Sequence, residues 1–485
     1  MIPLLVGKSA DSVACMLAAI ATERPFCFLN PKYRGPQIAE ALEATNAPLC
    51  IVDAAGLVAL RGTWKNHARI EQTTWAIVGA RSLTGIYAEA ARDLRTVADV
   101  VGLDDCSQAP SIVRCGDATP QVATCLFTSG STGQPKGVLV SEADLMGRVA
   151  TEIEWFGLTH DDMLLSILPF SFDVGLNQLM TALAVGAELA VLDSWLPADI
   201  VAATEKRRVT GISAVPAIWQ DLINSGTRFD TSGPHTSLRY ITISGGSLSR
   251  HHLERLPEVV RGAAIFKTYG QTEAFRATSL RPEDYHRKMD SVGRPFSGVH
   301  VYVVRDDGSP CDAGETGEVV HTGLGIMVGY LGDASEHAEL QTKLRVNPFL
   351  DDGDRSPLAV FTGDLGYRDD EGYLFLKGRR DRMLKVLGNR VYPQEVTNQL
   401  LTIPGVREAV VAGIPRADGQ TVLVAFLSAA SGKELSARAV RKALGAKLPA
   451  FMIPREIVFV DEMPRTLSGK SDERRLVEDY ASVGR

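Results

Sequence analysis

Nothing in this 485-residue chain reaches membrane-spanning length, and its apolar opening, residues 1–6, is far too short for a secretory leader. It has no excess of basic residues. The 51 Lys and Arg stand against 58 Asp and Glu, a formal charge of −7 that argues against nucleic acid or an anionic membrane as the main partner. Cysteine is sparse and scattered: Cys15, Cys27, Cys50, Cys106, Cys115, Cys125 and Cys311 form no Cys-x-x-Cys pair, and no His cluster shows metal-ligand spacing. That pattern excludes a disulfide frame or zinc site and reads as reduced thiols in a cytoplasmic protein. Repeats and low-complexity segments are also absent. What remains, 45% hydrophobic and 22% charged, is the composition of a soluble enzyme too long for a single core.

Along the chain, short apolar runs alternate with helical patterns. Residues 3–6, 25–29 and 49–52 read as strands, with helices over 11–21 and 37–45, a rhythm that implies a parallel sheet covered by helices. Residues 102–120, polar and carrying two prolines, read as a connecting loop. A second series follows, with helices over 141–156 and 177–185 and strands over 163–173, 188–192, 211–215, 240–244 and 264–268. Its strand ends carry Asp173, Gly245-Gly246-Ser247 and Tyr269-Gly270-Gln271-Thr272-Glu273, where open parallel sheets bind ligands. Residues 291–329 switch to short strands and Gly/Pro turns, as in a small antiparallel barrel. Beyond Arg382, about a hundred residues form a smaller α/β unit. The fold class is therefore α/β. A large N-terminal domain (1–380) holds two doubly wound sheets and a small β-barrel, and a smaller C-terminal α/β domain (382–485) follows.

The most informative stretch is Thr128-Ser129-Gly130-Ser131-Thr132-Gly133-Gln134-Pro135-Lys136-Gly137, entered from an apolar run over 122–127. Glycines let backbone N–H groups turn inward, and the hydroxyls and Lys136 add donors and charge, so the loop can wrap an anion. It is not a Walker loop, since no Gly-Lys-Ser/Thr opens a helix. A plain surface turn seldom combines so many donors with a following lysine.

This stretch resembles the phosphate loop of the adenylate-forming enzymes: acyl-CoA synthetases, peptide-synthetase adenylation domains and luciferases. The resemblance continues in family order through Tyr269 to Glu273, Thr362-Gly363-Asp364, Gly378-Arg379-Arg380-Asp381 and Pro464-Arg465-Thr466-Leu467-Ser468-Gly469-Lys470, across almost the whole chain. It implies ATP and Mg²⁺ as cofactors and CoA or phosphopantetheine as thiol acceptor. Thr128, Ser129, Gly130, Ser131, Thr132, Gly133 and Lys136 would surround the phosphates. Gly245, Gly246, Ser247, Gly270 and Thr272 would line the nucleotide cleft. Glu273 is a hard carboxylate suited to Mg²⁺, though alone it would read as a solvated turn glutamate. Tyr269 offers a face to adenine, although a lone tyrosine is more often core. Asp364 would accept the ribose hydroxyls and Arg379 would contact ribose or phosphate. Lys470 would bridge the attacking carboxylate and the α-phosphate, where a fixed cation removes the repulsion between two anions. The resemblance also makes the C-terminal domain mobile, with Asp381 as hinge and Gly388 presented to the thiol. No carrier-protein domain follows, so a free-standing enzyme is expected, and the opening looks short beside the family.

The partner is then a small-molecule carboxylic acid, with a separate carrier protein as a possible second one. Ser171-Phe172-Asp173 resembles amino-acid-activating members, in which the aspartate meets the substrate ammonium. Some bacterial acyl-CoA ligases look similar here, and Asp173 then serves as a cap for a helix beginning near Gly175. Asn177 and Arg276 should also face the acid pocket, and Arg276 could meet a second acidic group. Polar groups line a long alkyl tunnel poorly, because each one left unpaired costs about 1–3 kcal/mol. A small polar acid or amino acid is favoured. The alternatives are a fatty or aryl acyl-CoA ligase, a ligase that stops at the adenylate, and an inactive nucleotide-binding homologue.

Overall fold

The computed structural model describes residues 1–60, 67–78, 112–113, 121–129, 135–229, 237–332, 342–350, 356–386, 389–416, 421–430, 435–466 and 470–482. Among these, the first sheet has eight strands. The five on one side, in spatial order Thr74–Ile77, Leu49–Val52, Ile2–Leu5, Phe26–Phe28 and Val122–Ser129, are parallel. The sheet then turns antiparallel through Pro135–Ser141, Gly329–Leu331 and Ile112–Val113. The βα rhythm of the opening forecast the parallel half. In the other half Pro135–Ser141 follows its neighbour as a hairpin, while Gly329–Leu331 and Ile112–Val113 join from far apart in sequence, a pairing local periodicity does not encode.

The second sheet has seven strands among the described residues. Its parallel part runs Ala264–Gln271, Tyr240–Ile243, Gly211–Ala214, Met163–Ser166 and Glu188–Val191. Phe275–Leu280 folds back antiparallel on Ala264–Gln271, and Arg294–Pro295 closes that edge. Gly270 makes this reversal possible: a β-carbon there would lie 1.6 Å from the Phe275 carbonyl oxygen. Behind the sheet, Trp219, Ile212, Leu256 and their neighbours are wholly buried.

The small barrel expected over 291–329 draws in later strands. Val299–Val304, Gly317–Gly323, Leu344–Val346, Leu358–Arg368 and Leu374–Arg379 make one antiparallel sheet, whereas Gly329–Leu331 joins the first sheet instead. From Leu384 onward the chain builds its own sheets, a short hairpin and three strands (Val406–Pro415, Thr421–Ala429, Glu456–Phe459), around a separate apolar cluster. Among the described residues, no helix is long and apolar enough to cross a membrane.

Two helices position the site. Glu142–Phe156 starts at Ser141, whose hydroxyl accepts from the Asp144 N–H, and ends at Gly157 in the left-handed region. Its buried stripe is Leu145, Arg148, Val149, Glu152 and Phe156, so two charged residues face inward. Asp173–Val185 starts one turn earlier than its apolar periodicity suggests. Asp173 is its first residue and Phe172 its cap, which corrects the expectation of a helix near Gly175 capped by Asp173.

Candidate active site

Asp364 is the best-organised group in the cleft. The register of two antiparallel strands sets it opposite Arg379, whose Nη1 lies 3.5 Å from Asp364 Oδ1. Its other oxygen, Oδ2, accepts the Tyr269 hydroxyl and the Gln271 Nε2, both at 2.6 Å. Burial pushes the Asp364 carboxyl up, and Tyr269, Arg379 and Gln271 only partly offset it. Tyr269 is thus committed to Asp364 through its hydroxyl, and its ring is 8% exposed and packed with Ala277, Phe296 and Leu374. Arg379 also holds Asp381 with two bonds, Nε to Oδ1 at 2.9 Å and Nη2 to Oδ2 at 3.1 Å. That fork drops the Asp381 carboxyl below its usual range despite burial.

Glu273 sits in the 3₁₀ turn Thr272–Ala274, directly after the Ala264–Gln271 strand. Its Oε1 accepts from Lys343 Nζ at 2.9 Å and from the Tyr330 hydroxyl at 3.1 Å. Burial alone would raise this carboxyl, but Lys343 and Tyr330 outweigh it and keep Glu273 ionised below the usual range. An ionised oxygen donor of this kind fits Mg²⁺. No group of three or more His, Cys, Asp or Glu able to hold a metal exists among the described residues.

Neighbouring Thr272 donates from Oγ1 to Asp173 Oδ2 at 3.3 Å, while Asp173 Oδ1 accepts its own helix's Val174 N–H at 2.7 Å. Lys470 comes from the far end of the chain. Its loop is pinched by Thr466 N donating to the Lys470 carbonyl at 2.7 Å and Asp472 N to that of Pro464 at 2.8 Å. Solvent still reaches Lys470, yet protein crowds the ammonium enough that desolvation lowers its pKa. The fields of Asp173 and Asp364 pull it back up, and those of Arg382 and Arg379 push it further down.

The phosphate-loop residues form a hairpin, Val122–Ser129 paired with Pro135–Ser141, in which Thr128 faces Lys136 and its Oγ1 donates to the Lys136 carbonyl at 3.4 Å. Gly130, Ser131, Thr132 and Gly133 lie outside the described residues, as does Gly388. Gly245, at φ +81°, and Gly246 follow the Tyr240–Ile243 strand, and with Ser247 they edge the second sheet at the same end as Glu273.

Two residues expected to face the acid, Asn177 and Arg276, are buried. Arg276 Nη1 lies 2.7 Å from Glu152 Oε1, both side chains are at most 6% exposed, and the Phe156 and Phe275 rings flank the guanidinium. Asn177, also buried, adjoins the same carboxyl, and neither of its side-chain polar atoms has an aligned hydrogen-bond partner. Burial raises the Glu152 carboxyl against the pull of Arg276. Arg276 thus has an acidic neighbour inside the protein, although its Nη1 and Glu152 Oε1 are not aligned for a hydrogen bond. Sequence reasoning missed Glu152, Arg148, Gln271 and Lys343. The first two carried a signal, two charged residues on the apolar stripe of a helix. Lys343 carried none, because its partner lies 70 residues away.

A family model described as AMP-binding enzyme matches residues 2–331, and the model of the AMP-binding enzyme C-terminal domain matches 395–470. The chain belongs to the AMP-binding enzymes. It is 34% identical over 380 residues to an indoleacetate–CoA ligase of Aromatoleum aromaticum, covering 75% of this chain and 70% of that protein. It is 31% identical to an L-proline–[L-prolyl-carrier protein] ligase of Streptomyces coelicolor, covering 73% of this chain and 65% of the relative. Among solved structures, the o-succinylbenzoate CoA synthetase of Bacillus subtilis, in complex with its acyl-adenylate intermediate, superposes with a TM-score of 0.75 at 25% identity. That match covers 98% of this chain and 87% of the other. In this AMP-binding enzyme, Thr272 bonds Asp173 and Arg379 lies against Asp364, while Asn177 and Arg276 are buried beside Glu152.

Proposed function

We propose that this chain activates a small carboxylic acid with ATP and passes the acyl group to a thiol, that of CoA or of a carrier protein's phosphopantetheine. One observation carries the reading. Lys470, 106 residues beyond Asp364 and 297 beyond Asp173 in the chain, stands within the electrostatic reach of both. A cation held there by a pinched loop suits a reaction in which one anion must attack another. A carboxylate oxygen of the acid would bond to the α-phosphorus as the bond to pyrophosphate breaks. The thiol sulfur would then take the acyl carbon, releasing AMP. No protein nucleophile is needed. Asp364 and Arg379 would hold the ribose, and the Thr128–Lys136 hairpin and Glu273 the phosphates, with magnesium supplying charge neutralisation.

On the acid side, the field of Asp173 acts on Lys470, and the buried polar residues Arg276, Glu152 and Asn177 would line the pocket. This favours a compact polar acid, an amino acid among them, over a long alkyl chain. A second reading, an aryl acid transferred to CoA, draws on the indoleacetate–CoA ligase similarity. The unpaired thiols fit a cytoplasmic setting. Acid-dependent pyrophosphate–ATP exchange over amino, hydroxy, aryl and fatty acids, followed by CoA or a carrier protein as acceptor, tests the whole reading. Exchange with the compact polar acids supports it. Exchange confined to fatty acids would overturn the polar pocket.

A further inference from the structure

We infer that Lys343 is a phosphate-binding residue that, in the ligand-free protein, holds the place on Glu273 later taken by the metal. The inference rests on the nucleotide reading above and assigns a role to a residue outside every motif that led to it.

The lysine is placed, not loosely tethered. Its carbonyl accepts from the Phe361 N–H at 2.7 Å, which fixes its backbone against the strand that bears Asp364 three residues later. The next residue, Leu344, pairs with Val360 in register. From that anchor the side chain reaches Glu273 Oε1 at 2.9 Å, with the ammonium end one-fifth exposed and the carboxylate less so. Its charge also acts weakly on Asp364 and Asp381.

A largely enclosed ion pair is weak evidence for stability, because desolvation offsets its attraction, so structure alone is a weak reason to put a lysine there. A compact ammonium on a flexible stem with three donors is instead suited to exchanging one anion for another. A metal ion arriving on a triphosphate would compete for Glu273. The displaced ammonium would then have a polyphosphate, the densest negative charge in the cleft, within the reach of its stem. The exchange keeps Glu273 ionised while the cleft is empty, and it leaves no charge unpaired when the cleft fills. No bond is made or broken in it.

The test is binding, measured without turnover. Titrate wild type, Lys343→Met and Lys343→Arg with α,β-methylene-ATP and with adenosine, each with magnesium and with EDTA. Loss of a charge-assisted contact predicts a triphosphate affinity at least about tenfold weaker in Lys343→Met, with adenosine unchanged and Lys343→Arg largely restored. With its competitor gone from Glu273, the magnesium needed for half-maximal triphosphate binding should fall in Lys343→Met. Triphosphate binding within twofold of wild type, or an equal loss for adenosine, would overturn the role. If wild type bound neither ligand, the nucleotide reading itself would fail, and this inference with it.

Discussion

The Tyr269 hydroxyl donates to Asp364 Oδ2 at 2.6 Å, which ties the aromatic residue expected to stack on adenine to the carboxylate expected to hold ribose. Tyr269→Phe separates the two roles. The ring survives, but a bond to a carboxylate, worth roughly 1.5–3 kcal/mol, is lost. We expect the ATP KM to rise on the order of tenfold, with the acid KM unmoved. If Tyr269→Phe matches wild type while Tyr269→Ala fails, the ring and not the hydroxyl is what the site uses.

The Arg276–Glu152 pair makes a stability prediction. Glu152→Gln leaves a buried guanidinium without its counter-charge and should cost about 3–5 kcal/mol, read as a lower urea midpoint. Glu152→Leu combined with Arg276→Met should be more stable than either single variant, because both charges leave together. The pH dependence has a definite sign. The folded-state Glu152 carboxyl titrates above its unfolded value, so the folded form holds the proton more tightly. This contribution is present at low pH and lost as pH rises through the folded pKa, and Glu152→Gln should flatten that slope. A double variant weaker than both singles would contradict the account.

These two pairs show what was legible in the sequence. Motif resemblance pointed to Asp364, Glu273 and Lys470, although Asp364 lies on the strand Leu358–Arg368 and Glu273 in a 3₁₀ turn. Periodicity gave the parallel strands and most helices. The partners of those residues were not legible. Tyr269 meets Asp364 across 95 residues and Lys343 meets Glu273 across 70, and no local pattern encodes such a pairing. Arg148 and Glu152 could have been found, since both interrupt the apolar face of their helix. Arg276 was expected at the acid pocket from its chain position, and its buried neighbour Glu152 is revealed only by packing.

Asp381 is held by Arg379 two residues earlier, within the 3₁₀ turn Arg380–Arg382 that leads into the C-terminal sheets. If this turn is the hinge, Asp381→Pro fixes φ and traps one arrangement. Pyrophosphate exchange should persist while transfer to the thiol collapses. Asp381→Ala, which removes the ion pair but leaves φ free, should keep both half-reactions. Equal loss of both in the proline variant would make the turn an ordinary structural element.

The most direct measurement compares wild type and Lys470→Ala in acid-dependent exchange of labelled pyrophosphate into ATP. The same proteins are then given a preformed acyl-adenylate and a thiol. Removing the cation that offsets charge at the α-phosphate predicts an exchange rate at least about a hundredfold lower, with thioester formation from the supplied adenylate retained. Exchange in Lys470→Ala close to wild type would contradict the account at its centre.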